Sequence, residues 1–195
     1  YNKYRTAYLQ TEEEWALWDF TKVNLPEYTG GIFNAAITGA WETENSFIYR
    51  LEFDRRITQM CGLPIFYAEQ SGQNLEIKWF GKKENRLPEA FWLKFPKCGE
   101  GWEIHKMGQW IFPQECLGSP LISAIDTGIK NARCEITSLD AALVAPFGRN
   151  LLRYHFDVEE QNLYFNLYNN IWNTNFPMWY SDDAKFRFVI KNNTP

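Results

Sequence analysis

A chain of 195 residues suits one domain with a short appendage, and it can bury a substantial core without metal or disulfide support. Its net charge is -4, and no basic run exceeds Lys82–Lys83, which excludes a phosphate-tracking face and so nucleic acid as an expected partner. No apolar run approaches the ~20 residues that span a bilayer, so no membrane partner is expected either. The compartment is not legible.

Aromatic content is the outlier, with 15 Phe, 10 Tyr and 9 Trp making 17% of the chain. Such rings favour strands and a wide apolar interior. The four cysteines are too sparse for a disulfide scaffold and read as buried thiols.

The chain opens on Tyr1, which reads as a continuation from a preceding domain. Residues 11–20, TEEEWALWDF, carry a helix-start signature. Thr11 and Glu14 form a capping box, Glu12 and Glu13 suit the positive end of the dipole, and Trp15 and Trp18 share a face. Pro26 stops the helix. We therefore expect a helical arm and linker over 1–28 and a β domain over 29–195.

The period then changes to two. In SFIYRLEFD, Phe47, Tyr49, Leu51 and Phe53 face one way and Arg50, Glu52 and Asp54 the other. The same alternation places Leu75, Ile77 and Trp79 together, then Phe91, Leu93 and Phe95, then Phe186, Phe188 and Ile190. Further strands are expected near 33–40, 63–69, 102–106, 109–112, 121–125, 133–137, 151–158 and 162–168, with no second strong helical pattern. Turn chemistry at SGQN, GKKENRLP, KCGEG and APFGRN separates them. The fold class is all-β, a large antiparallel sandwich with a short N-terminal helical arm.

Signatures of a self-contained enzyme are sparse. YTGGIF leads into a strand rather than a helix, so it is no phosphate loop, and LGSPL lacks the second glycine of a nucleophile elbow. The two histidines, His105 and His155, exclude a histidine-rich metal site, and no metal or other cofactor is expected in this chain. With a carboxylate they could run acid–base chemistry on a sugar; each also reads as a satisfied strand residue. Glu89, Asp126 and Asp140 are carboxylates at loops or strand ends.

The densest pattern is LYNNIWNTNFPMWY at 167–180, where Asn169, Asn170, Asn173 and Asn175 interleave with aromatics. Aromatic rings cover the C–H face of a sugar, and amides both donate to and accept from its hydroxyls. The bland alternative is a loop shaped by asparagine, with Trp172, Phe176 and Trp179 plugging the end of a sandwich.

Three motifs, FNLYNNIWNTNFPMWY, ENRLPEAFWLKF and ITSLDAALVAPFG, resemble the C-terminal β-sandwich region of bacterial glycosidases related to the family 38 α-mannosidases. Asn173 departs from the pattern, which has glycine there. The resemblance implies a galactose-mutarotase-like supersandwich packed on an N-terminal catalytic domain of the same polypeptide, which holds the catalytic and metal-binding residues. It further implies a carbohydrate ligand, with Asn169, Asn170, Trp172, Asn175 and Trp179 as sugar contacts. Arg86 and Glu89 are a second choice, the alternative being a surface ion pair between them. A stand-alone carbohydrate-binding module and a mutarotase-like epimerase using His105 or His155 are the alternative functions.

Overall fold

A computed structural model describes residues 31–84, 89–97, 101–113, 123–145, 149, 162–170 and 181–193. The expected helix at 11–20, the arm boundary at 28 and the strand at 151–158 lie outside them. In chain order the elements are β1 (Ala36–Glu42), β2 (Phe47–Glu52), α1 (Arg55–Cys61), β3 (Phe66–Ser71), β4 (Asn74–Trp79) and β5 (Ala90–Phe95). They continue with β6 (Glu103–Lys106), β7 (Gln109–Ile111), β8 (Ser123–Ala124), β9 (Gly128–Lys130), β10 (Cys134–Ser138), β11 (Leu143–Ala145), β12 (Leu163–Asn169) and β13 (Ala184–Asn192). The described chain is all-β apart from α1.

Two antiparallel sheets result. The larger has nine strands in the order β1-β2-β3-β4-β13-β10-β9-β6-β7, and the smaller has four in the order β5-β12-β11-β8. Period-two alternation gives the larger sheet an inner face of Phe66, Ile77, Trp79, Ile104, Ile129, Ile136 and Phe188, all buried. Val144, Leu163 and Phe165 of the smaller sheet join that core, and Phe165 meets Phe188 edge to face at 5.1 Å. At one end lies an aromatic cluster of Phe66, Trp79 and Phe91, whose ring centroids are 5.1 to 5.4 Å apart. Tilted and edge-to-face contacts of this kind add ~0.5–1.5 kcal/mol per pair beyond area burial.

The turns follow from local chemistry. Between β3 and β4, Gly72 at φ 56° opens a two-residue loop; between β6 and β7 both loop residues, Met107 and Gly108, have positive φ. Primed hairpin turns of this kind match the strand twist.

Helix α1 departs from the expectation of no second helix. Its start is fixed by Asp54, whose Oδ1 accepts from Arg56 N at 2.8 Å, and its end by Gly62 in the left-handed conformation. Seven residues with none fully buried leave too short a stripe to register as helical periodicity.

Candidate functional site

Glu89 immediately precedes β5 and Asn170 immediately follows β12. These strands pair antiparallel with Asn169 opposite Ala90, so the next rung places Asn170 beside Glu89. Asn170 N donates to Glu89 O at 3.1 Å, and Glu89 N donates to Asn170 Oδ1 at 2.8 Å. The amide side chain thus completes a ladder rung, and Asn170 is only 5% exposed.

The Glu89 carboxylate meets Lys82 Nζ at 2.7 Å, with the lysine side chain fully buried. Lys82 Nζ also donates to Lys83 O at 2.9 Å and lies over the Tyr168 ring at 4.8 Å and, more distantly, the Phe91 ring at 5.8 Å. A charge in such surroundings requires its partner, because desolvation costs several kcal/mol per ion. Ring quadrupoles add a further attraction to the cation.

Lys82 turns inward just after β4, where Gly81 adopts φ 63°. The Gly81 N–H donates to Asp183 Oδ1 at 2.6 Å, and Asp183 immediately precedes β13. Asn170 and Asp183 therefore fix the two ends of the asparagine–aromatic segment to adjoining residues: Asp183 to Gly81 directly, and Asn170 to Lys82 through Glu89. Segment 171–182 connects the smaller sheet to the larger across this junction.

Of the residues singled out above, the structure brings Glu89 and Asn170 into contact. Asn169 donates from Nδ2 to Asn166 Oδ1 at 2.7 Å, while its own Oδ1 is buried without a hydrogen-bond partner. Trp172, Asn175, Trp179 and Arg86 lie outside the described residues. The Glu89 carboxylate pairs with the buried Lys82, and its pairing with Arg86 lies outside the described residues. Sequence reasoning missed Lys82 and Tyr168, and no local signal sets Lys82 apart from Lys83.

The other candidates stand elsewhere. His105 Nδ1 is 3.5 Å from Asp126 Oδ2, an oxygen that also accepts from Gly108 N at 2.8 Å. His155 lies outside the described residues. Asp140 takes Nε and Nη2 of Arg187 at 2.9 Å each, and these hydrogen bonds hold its carboxyl below the ordinary range. Glu69 is lowered likewise, first by its hydrogen bond from Lys78 and then by that from Ser46. Glu89 and Asp140 are thus each engaged by a different basic side chain, while His105 Nδ1 makes no hydrogen bond to Asp126. Among the described residues no group of three His, Cys, Asp or Glu is placed to hold a metal.

Compared with protein-family models, curated proteins and solved structures, the chain matches none.

Proposed function

We propose that this chain is a non-catalytic supersandwich domain of a larger glycoside hydrolase, galactose-mutarotase-like in architecture. In this reading it packs on an α-mannosidase-like catalytic domain and presents its asparagine–aromatic segment to the sugar. The motif resemblance suggests the class. The carrying observation is the double anchorage of segment 171–182, with Asn170 and Asp183 held at one junction through Glu89 and Gly81. Fixing both ends of a loop lowers the ordering cost of any ligand contact it makes.

The test is titration of the purified chain with methyl mannosides, methyl galactosides and their short oligomers, followed by tryptophan fluorescence and amide NMR. Shifts at Tyr168, Asn169 and Asn170 that vanish in Trp172→Ala are expected. The same preparation is expected to leave aryl glycosides intact; turnover would overturn the non-catalytic assignment. Absence of shifts at these residues with every sugar would overturn the sugar-contact assignment.

A further inference from the structure

Among the described residues strand β1 is an edge of the nine-stranded sheet, and its residue Trp41 is 51% exposed. The indole is nonetheless held in place. It lies across Gly39, two residues earlier on the same face: a Cβ at Gly39 would stand 2.6 Å from Trp41 Cη2 and 3.1 Å from Cζ2. The glycine is therefore the bed on which the ring rests, and about half of the residue stays exposed. Aromatic cover of an edge glycine also supports the strand itself.

The polar neighbours of this ring are fixed by register. Arg50 on β2 stands directly opposite Gly39, and Ile48 opposite Trp41. Arg50 Nε is 2.9 Å from Glu52 Oε1, and the same oxygen accepts from Thr38 Oγ1 at 2.7 Å. One carboxylate oxygen thus accepts from a hydroxyl and pairs with a guanidinium on the strand beside the indole. The Glu52 Oε2 atom and both Arg50 Nη atoms have no hydrogen-bond partner among the described residues. The cluster joins a flat apolar platform to an ordered acceptor and two ordered donors.

We propose that Trp41, Arg50 and Glu52 form a pyranose-binding subsite on the outer face of the larger sheet, apart from the 169–180 segment. A pyranose ring stacks its C–H face on the indole while adjacent hydroxyls bond to Arg50 Nη and Glu52 Oε2. A purely apolar protein contact would leave these charged groups to be desolvated without partners, whereas vicinal hydroxyls satisfy both. The inference takes only its ligand class, carbohydrate, from the reading above; its residues are different.

The experiment is an NMR titration of the full chain with a panel of neutral oligosaccharides, on wild type and four variants. Shifts confined to residues 36–52 that disappear in Trp41→Ala are expected. Gly39→Ala keeps the indole but forces it off its bed, so a similar loss is expected with the strand still folded by its amide spectrum. Arg50→Gln is expected to weaken binding about tenfold, the loss of one charge-assisted hydrogen bond. Trp172→Ala is expected to leave these shifts unchanged. Binding abolished by Trp172→Ala but untouched by Trp41→Ala and Gly39→Ala would overturn the subsite while leaving the segment reading in place. Absence of shifts at 36–52 with every glycan would overturn it too. Concentration-dependent self-association lost in Trp41→Ala, without glycan shifts, would assign the face to a second copy instead.

Discussion

Two ion pairs in this protein share nearly the same contact distance and almost nothing else. Lys82 and Glu89 meet at 2.7 Å with side-chain exposures of 0% and 9%. Arg187 and Asp140 meet at 2.9 Å with exposures of 47% and 25%. The second pair exchanges water for a guanidinium on a solvated sheet face. The first has no water to fall back on, and its cation is walled by Tyr168 and Phe91. Contact distance therefore says little about what each pair does; the surroundings decide it.

The sharpest way to break the comparison is to orphan the buried lysine. Glu89→Ala is expected to destabilise the protein by about 3–5 kcal/mol, read from urea unfolding, because it strands a charge rather than merely deleting a bond. A paired replacement, Lys82→Met with Glu89→Leu, is expected to recover most of that loss. Recovery would mark the pair as a device for placement rather than for stability. Failure to recover would mean that the charges themselves hold the junction.

Next in size is Asn170→Ala, which leaves the buried Glu89 N–H without its acceptor; about 1–3 kcal/mol is expected by the same measurement. The exposed pair should respond least. Asp140→Asn keeps the shape of the side chain and removes the charge, and its unfolding midpoint at neutral pH is expected to lie close to wild type. A loss equal to that of Glu89→Ala would refute the claim that burial separates the two pairs.

The exposed carboxylates are expected to show themselves in acid instead. Asp140 and Glu69 have folded pKa values below their ordinary ones, from the hydrogen bonds of Arg187 and Lys78 respectively. A depressed folded pKa gives stabilisation that is present above the ordinary carboxylate range and is lost as pH falls through the depressed value. Asp140→Asn and Glu69→Gln should therefore each flatten the acid limb of a stability–pH curve. Each variant should lie slightly below wild type at neutral pH and converge on it in acid.

Strand content was legible wherever alternation ran long enough. The strands holding Phe47, Leu75, Phe91 and Phe186 each present several residues of one face, so period two stands out. Strands β9 and β11 have three residues each, too few for any period to declare itself, and their identity comes from pairing, β9 with β10 and β6, and β11 with β8 and β12. The site was legible only in part. Glu89 and Asn170 attracted attention as sugar contacts, yet their hydrogen bond joins positions 81 residues apart, which no local pattern encodes. Lys82 was invisible for a related reason. Nothing in the KK step distinguishes it from Lys83, and only the turn at Gly81 and the ends of β5 and β12 carry one of the two inside.

The order of the larger sheet has a consequence for how the protein is made. Strand β13, the last of the described strands, lies between β4 and β10, pairing with both. Among the described residues, the β1–β4 meander and the β10-β9-β6-β7 group are thus joined within the sheet by a strand that follows both in sequence. Until Ala184–Asn192 is available, both halves present open inner edges, the kind of surface that invites pairing with another chain. A chain lacking Ala184–Asn192 should leave both edges open and aggregate, and refolding should be limited by the capture of this joining strand.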